Sequence, residues 1–439
     1  MFIYRVFTTL LKYKVTRKML QFTKKSRLCH LLVPMLREWY EKDFIFQYPT
    51  VTFLGNKAVT GLDLLQKDNL MLHKPLIITD PVLIKTNVVN EVTNQLKKHN
   101  VNYVIYDGVQ PNPTTAIVEN IVLIYQKNQC DALISVGGGS AHDAAKGASL
   151  VLTNHKPIRK FQGLNVTKNA VIMPIIVVNT TAGTGSGATN VAVITDELTH
   201  FKMTLVDKNI QPHILVDDSE LMLGLPVKQS MWVGVDTLVH AIEAELSTSS
   251  SLISSIYARQ VIHMVYQYLP QVHQKTNNLQ AREKMAYAEF MAGMAFNSAS
   301  LGFVHSLSHA LSGTYDTPHG LANAILLPYV LDYELRYYKA TTKIAKIGNF
   351  LGIDNSNLSE MEQAKNCIQA LVKFTKSLDI PMKLSDIITN ISRRDIKHMA
   401  TKAMKDFCGI SNPVQFSRRE VIRIYKNAIS GKFDNILLN

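Results

Sequence analysis

The chain has 439 residues, long enough for two or three domains that each bury a core. Its composition, 46% hydrophobic and 18% charged, is typical of a soluble globular protein and excludes disordered and fibrous classes. The net charge of +13 invites a nucleic-acid-binding interpretation, but the chain has no Arg-rich helix and no basic–aromatic strand pattern to support it. The four cysteines are far apart and form no CxxC pair, which argues against a disulfide framework and a thiolate zinc site.

Much of the positive charge lies in residues 1–45, a basic N-terminal extension. Residues 1–37 contain nine Lys or Arg and no acidic residue, and ten basic and three acidic residues give +7 over residues 1–44. Three interpretations are open: a plain helical extension of a cytoplasmic protein, a mitochondrial presequence, and an amphipathic anchor at a membrane surface. A transmembrane span is not expected, because it requires about 20 apolar residues.

Residues 46–218 alternate short β-rich runs with helical stretches. The predicted strands include TVTFLG (50–55), PLIIT (75–79), NYVIYDGV (102–109) and DALISV (131–136). This order predicts a parallel sheet with helices on both faces. In residues 219–439 the apolar spacing is near 3.6 and no convincing β-run is found, so this part is predicted to be all helical.

Two polar loops are candidates for binding a dinucleotide. DALISVGGGSAHDAAKGASL (131–150) is a strand, a triple glycine and a helix, which lets the backbone approach a phosphate at a helix N-terminus. NTTAGTGSGATN (179–190) offers hydroxyl groups to a pyrophosphate or ribose. Asp80, at the end of a predicted strand, would accept hydrogen bonds from ribose hydroxyls and repel a 2′-phosphate, which favours NAD over NADP. The alternatives are ordinary turns and, for Asp80, a helix cap.

A cluster of metal-ligating side chains is predicted in the second half. Asp236 and His240 are four residues apart on a predicted helix, as are His305 and His309, so each pair projects from one helix face. His319 follows a predicted turn and is expected in a loop. An Asp with three imidazoles suits Fe²⁺ or Zn²⁺ and leaves a position for a substrate oxygen. Core or capping roles for single histidines are the alternative.

Together, these motifs resemble the iron-containing (group III) alcohol dehydrogenase family, which includes lactaldehyde reductase, 1,3-propanediol dehydrogenase and butanol dehydrogenases. The resemblance covers about residues 46–435. The motifs appear in the family's order: DGVQPNPT, GGGSAHDAAK, TTAGTGS, GVDTLVHAIEA and VHSLSHALSGTYDTPHGLANAILLP. It implies an α/β N-terminal dinucleotide-binding domain with a parallel sheet, dehydroquinate synthase-like, over 46–218. An all-α C-terminal metal-binding domain would follow over 219–439.

The resemblance also implies an activity and the residues that perform it. The activity would be hydride transfer between NAD(H) and a small primary alcohol or aldehyde, with Fe²⁺ (or Zn²⁺) as Lewis acid, in a cytoplasmic homodimer. The implied metal ligands are Asp236, His240, His305 and His319. His309 matches the family's non-ligand histidine beside the nicotinamide and is the candidate catalytic residue, which would relay a proton. The implied cofactor contacts are Asp80, Asn112, Gly138, Gly139, Ser140, Asp143, Thr180, Thr181, Thr184, Val193 and Lys202.

Two positions depart from the family motif PTTAGTGSE. Asn179 stands for its proline and Gly187 for its glutamate, and the lost carboxylate raises a question about how the cofactor loop is oriented. Three alternative functions follow from the same fold. A dehydroquinate synthase-like lyase would need basic residues that 302–320 lacks, a glycerol dehydrogenase-like zinc enzyme would use one histidine fewer, and a nucleotide-binding relative would be non-catalytic.

Overall fold

The structure, a computed structural model, describes residues 51–65, 72–165, 167, 173–354 and 357–437. The predicted basic extension, residues 1–45, lies outside the described residues, so its three interpretations stay open. In the described part, no helix combines the length and the apolar character needed to cross a membrane.

The strands form a parallel sheet and a smaller mixed sheet. The larger sheet has the order β1-β9-β6-β4-β2-β3, and every neighbouring pair in it is parallel. The smaller sheet has the order β5-β8-β7, with β7 antiparallel to β8. The bounds are β1 Val51–Gly55, β2 Leu76–Ile78, β3 Val104–Tyr106, β4 Leu133–Gly137, β5 Gly163–Leu164, β6 Ile175–Asn179, β7 Val191–Asp196, β8 Phe201–Val206 and β9 Ile214–Asp218.

Helices separate the strands from β1 to β5 and make up most of the described chain after β9. The bounds are α1 Leu62–Leu65, α2 Val88–Lys98, α3 Thr115–Asn128, α4 Gly139–Asn154, α5 Val227–Leu246, α6 Leu252–Gln274, α7 Leu279–Ala299, α8 Phe303–Tyr315, α9 His319–Glu334, α10 Tyr338–Phe350, α11 Glu360–Ser377, α12 Arg393–Ala403 and α13 Arg418–Ser430. Among the described residues after Asp218 there is no strand, as predicted. Whether 46–218 and 219–439 are separate folding domains stays a prediction.

The central strands are buried on both faces, which explains their continuous apolar runs. In β2, Leu76 and Ile78 pack with α3 and α4, while Ile77 packs on the opposite face with α2. Successive strand residues point to opposite faces, so a strand between two helical layers needs apolar residues at every position. The predicted α/β fold with a parallel sheet and an all-helical second half is confirmed.

The β7–β8 hairpin was not predicted. Its two strands are joined by a turn at residues 197–200, and the hairpin lies beside the parallel sheet rather than in it. Val191, Val193 and Lys202 from this hairpin line the cleft described below. The hairpin therefore brings predicted cofactor residues to the site without belonging to the dinucleotide sheet.

Candidate active site

Residues from both halves of the chain line one cleft, with a cavity volume of about 150 Å³. Most of the predicted site residues line it. They are Asn112, Gly139, Ser140, Asp143, Thr184, Val193, Lys202, Asp236, His240, His305, His309 and His319. The predicted cofactor and metal residues thus face a common space, although Asn112 and His319 are 207 residues apart in the chain.

Four predicted residues, Asp80, Gly138, Thr180 and Thr181, are not among those that line the cleft. Thr181 packs against Gly138, and the backbone N–H of Thr180 donates to Gly137 O (2.9 Å). These residues support the loops that do line the cleft. Their predicted contacts with a cofactor stay predictions.

Asp80 has the capping role considered for it, and its contact with a ribose stays a prediction. Its Oδ1 atom accepts hydrogen bonds from the backbone N–H groups of Val82 (2.8 Å) and Leu83 (2.9 Å), which is a capping role. Its Oδ2 atom lies 4.0 Å from where a side chain at Gly137 would begin. One carboxylate oxygen therefore remains beside the glycine turn, where a ribose hydroxyl would reach it.

The glycine loop fits a phosphate by its geometry. Helix α4 begins at Gly139, and no side chain caps its N-terminus, so first-turn N–H groups remain free to donate. Side chains at Gly138 and Gly139 would meet Thr181 and Thr184 at 2.9 and 2.8 Å. Glycine is needed here because the two predicted cofactor loops pack directly against each other.

Asp143 and Lys146 of α4 hold the second loop. Asp143 accepts from Ser186 Oγ (2.7 Å) and from the N–H of Val193 (2.9 Å). The buried Lys146 ammonium donates to the carbonyls of Ser186 and Thr189, and burial lowers the pKa of Lys146 to about 8. Both carboxylate oxygens of Asp143 are thus used within the protein, which indicates a structural role beside its predicted cofactor contact.

Lys202 is held in the cleft by a chain of hydrogen bonds. Its Nζ donates to Asn112 Oδ1 (2.6 Å), and Asn112 Nδ2 donates to Asp316 Oδ1 (2.5 Å). Asn112 and Asp316 both have positive φ (55° and 51°), a conformation that short polar side chains tolerate best. Burial lowers the pKa of Lys202 to about 8, against the attraction of Asp316 and other carboxylates.

Three of the four predicted metal ligands converge on one point. Asp236 Oδ1 lies 3.8 Å from His305 Nε2 and 3.9 Å from His319 Nε2. The amide Nδ2 of Asn323 approaches all three of these atoms, at 2.6, 3.1 and 3.1 Å. Three acceptor lone pairs therefore meet at a donor NH₂ group, and a divalent cation would satisfy the same three lone pairs.

The protonation states of these groups also suit a cation. Burial, followed by the neighbouring histidines, lowers the pKa of His305 and of His319 well below 6.5, so both imidazoles are neutral. Burial raises the pKa of Asp236 to about 7. A cation at this point would favour ionised Asp236, so the donor set fits a metal of the iron or zinc type.

His240 lies beside this group rather than within it. Its ring stacks between His305 and Phe296, with ring centroids 4.6 Å from each, and it is not among the donors that lie within 4.8 Å of one another. Its Nδ1 atom is buried and has no hydrogen-bond partner among the described residues. The assignment of His240 as a ligand stays a prediction. The expected loop position of His319 is wrong, because His319 is the first residue of α9.

Three functional residues were missed in the sequence. His305 Nδ1 bonds Glu243 Oε2 (2.5 Å), and His309 Nδ1 bonds Asp406 Oδ2 (2.8 Å), with all four side chains buried. Asn323 is the third. Glu243 and Asn323 carried a usable signal, since Glu243 lies seven residues after Asp236 and Asn323 lies four after His319 on one helix. Asp406 had none, because it is 97 residues from His309.

Asp406 also accepts a hydrogen bond from its own loop. Its Oδ1 atom accepts from the backbone N–H of Cys408 (2.9 Å). Burial would raise the pKa of Asp406, but the charge of His309 and these hydrogen bonds outweigh it and leave the pKa below 3.8. Burial raises the pKa of the Cys408 thiol, which lines the cleft beside His309 as a neutral group.

Comparison with known proteins agrees with this geometry. Residues 49–219 match the model for iron-containing alcohol dehydrogenases, and residues 230–429 match that for the C-terminal part of the Fe-containing alcohol dehydrogenase family. The chain belongs to the iron-containing alcohol dehydrogenase family. It is therefore an alcohol/aldehyde oxidoreductase of that family.

Individual relatives of this alcohol dehydrogenase support the assignment. It is 39% identical to alcohol dehydrogenase 4 of Schizosaccharomyces pombe, over 81% of this chain and 82% of the relative. It is 35% identical to an NAD-dependent methanol dehydrogenase of Bacillus methanolicus, over 88% and 99%. A solved 1,3-propanediol oxidoreductase has a TM-score of 0.84 at 35% identity, and the match covers 88% of this chain and 100% of that one.

Proposed function

We propose that this family member interconverts a small primary alcohol and its aldehyde by hydride transfer with NAD(H), and that Fe²⁺ is its metal. One observation carries the proposal. The convergent donors of Asp236, His305 and His319 face the same cleft as His309 and the glycine loop. A dinucleotide on that loop would lie in the space that the metal donors share.

Fe²⁺ held by Asp236, His305 and His319, with His240 as the predicted fourth ligand, would supply Lewis acidity, and NAD(H) would carry the hydride. Glu243 accepts from His305 Nδ1 and thereby keeps the lone pair of Nε2 directed at the metal position. Asn323 would have to turn its NH₂ away from the three donors. Its Oδ1 atom, buried without a partner among the described residues, would then be available to face the cation, whereas Nδ2 could not.

His309 is proposed to move the proton. Because Nδ1 donates to the carboxylate of Asp406, its Nε2 is free to accept or donate toward the cleft. Phe296, Leu301 and Cys408 give the cleft apolar walls. These walls and the limited cavity support a short, uncharged substrate.

The preference for NAD rests on Asp80. Its free oxygen beside Gly137 would bond a ribose hydroxyl and repel a 2′-phosphate. The B. methanolicus relative is named NAD-dependent, which also supports this choice.

The test is an assay of anaerobically purified protein with NADH or NADPH, Fe²⁺ or Zn²⁺, and a panel of short-chain aldehydes and alcohols. We expect NADH oxidation with an aldehyde, dependent on Fe²⁺. Metal analysis of the same preparation distinguishes Fe²⁺ from Zn²⁺. Absence of turnover with every metal and substrate would overturn the proposal in favour of a non-catalytic nucleotide-binding protein.

We further propose a homodimer, which the family resemblance supports, and a cytoplasmic location, which the well-separated cysteines favour. Light scattering after gel filtration tests the dimer, and fractionation of cells that express the full chain tests the location. A monomer, or a mitochondrial fraction, would overturn the respective statement.

A further inference from the structure

One face of helix α7 in the helical half lies along residues 185–190 of the second cofactor loop. Glu289, Gly293 and Asn297 are spaced by four residues and so lie on one side of the helix. Glu289 Oε1 accepts from the N–H of Gly185 (2.6 Å), and Asn297 Oδ1 accepts from the N–H of Asn190 (3.0 Å).

Gly293 lets the helix and the loop approach closely between these two hydrogen bonds. A side chain at Gly293 would begin 2.9 Å from Gly185 O and 2.9 Å from the side chain of Ala188. Gly185 itself has φ +63° and lies against Gly293, so its N–H is turned into the protein interior. The helix and the loop are therefore in close contact over about two helical turns.

The residues on either side of Gly185 form the wall of the cleft. Thr184 and Ser186 both line it, and the side chain of Thr184 lies against Gly139 of the glycine loop. A shift of Gly185 would move the side chains of Thr184 and Ser186. It would also change the contact between Thr184 and Gly139 at the N-terminus of α4. The Gly185 hydrogen bond thus controls the shape of the predicted phosphate cradle.

Glu289 is suited to holding Gly185 in place because its carboxyl group is buried and accepts the hydrogen bond from the Gly185 N–H. Its side chain is 1% exposed, and burial together with the neighbouring Asp217 raises its pKa well above the usual range. At position 187, where the family motif has a glutamate, a side chain would begin 2.6 Å from the buried Leu215 Cδ1, so the leucine side chain would have to shift to admit one. In this chain a carboxyl group reaches the loop from α7 instead.

We propose that Glu289 is a positioning residue for dinucleotide binding, which holds the loop 179–190 against the glycine loop through Gly185. It touches neither cofactor nor substrate and acts through the loop. The inference rests on the proposed NAD dependence, and it adds that the helical half shapes the affinity for the cofactor.

The test measures the Kd for NADH by fluorescence, with metal content and melting temperature beside it, in Glu289→Leu and Glu289→Gln variants of the full chain. Leucine leaves the buried N–H of Gly185 without an acceptor, and we expect the Kd to rise roughly tenfold with metal content unchanged. Glutamine keeps a neutral acceptor, and we expect a Kd within about twofold of the wild type. Glu283→Leu, on the same helix away from the loop, is the matched control and should bind NADH normally.

Asn297→Ala at the other end of the same helix face provides a milder variant. It should also raise the Kd for NADH. If Glu289→Leu does not fold, the Kd of Asn297→Ala is the test of the inference. A wild-type Kd in a folded Glu289→Leu protein, or in Asn297→Ala where only that variant folds, would overturn the inference. A lowered melting temperature with unchanged Kd would do the same, because it would make the contact structural only. If the wild type itself bound no NADH, the proposed NAD dependence would fail first, and the inference with it.

Discussion

Asp406→Asn is the sharpest perturbation of the proposed proton path. The substitution keeps the size of the side chain and an oxygen that can accept from the N–H of Cys408. It removes the charge and can place an NH₂ group opposite His309 Nδ1, where a carboxylate now accepts at 2.8 Å. His309 would then hold its proton on Nε2, the nitrogen proposed to face the substrate.

The size of the effect follows from burial. The side chains of His309 and Asp406 are only 7% and 4% exposed, so water screens this pair little. A hydrogen bond to a charged group contributes about 1.5–3 kcal/mol, which corresponds to a loss of about 10- to 150-fold in kcat. The KM for the aldehyde and the iron content should change little, because Asp406 converges with His309 and Cys408 and is separate from the group of Asp236, His305 and His319 proposed to hold the iron.

Steady-state kinetics with NADH and a good aldehyde substrate, on protein of measured iron content, provide the assay. Asp332→Asn is a matched control: Asp332 is buried and accepts from the N–H of Asp434 (2.7 Å), but lies at the opposite end of α9 from His319. It should lower stability and leave kcat intact. When His309→Ala is already present, adding Asp406→Asn should lower kcat little further, because the two residues act as one unit. An unchanged kcat in Asp406→Asn, or loss of iron from it, would refute the reasoning.

Three other predictions follow from the geometry. Glu243→Gln weakens the support of His305 and should lower iron affinity by about 10- to 100-fold, as measured by competition with a chelator; unchanged affinity would show that His305 needs no such support. Asp80→Asn retains an oxygen for the turn but loses the charge, so the preference for NADH over NADPH should fall by about tenfold; equal selectivity would exclude Asp80 from ribose recognition. Burial raises the pKa of Asp217 to about 8, so its contribution to stability is present at low pH and is lost as pH rises through 8. Denaturant melts at acidic and alkaline pH should show Asp217→Asn gaining stability relative to the wild type with rising pH, and a constant difference would contradict the buried neutral acid.

Local patterns in the sequence sufficed for the main elements, the two polar loops and the helical pairs of metal-ligating residues, whereas the individual cofactor contacts came from the family resemblance. The parallel sheet follows from apolar runs such as PLIIT, which need cover on both faces, and from the helices between them. The pairs Asp236–His240 and His305–His309 follow from helical spacing, since residues four apart share a face wherever the helix lies. The hairpin of β7 and β8 was not predicted from the sequence, because a polar loop precedes it and its strands carry polar residues where they line the cleft.

Helix faces and turns depend on neighbours along the chain, so the residue types available at each of them could be predicted locally. Which of these residues meet depends on long-range packing. The hydrogen bond between Asp406 and His309 joins residues 97 apart, and that between Glu289 and Gly185 joins residues 104 apart. No local periodicity in the sequence predicts either hydrogen bond. His240 is a further example. Its spacing from Asp236 places both residues on one helix face, but its ring stacks beside the converging donor atoms and is not one of them. Packing of distant helices sets the direction of each side chain, and direction decides whether a lone pair reaches a shared point.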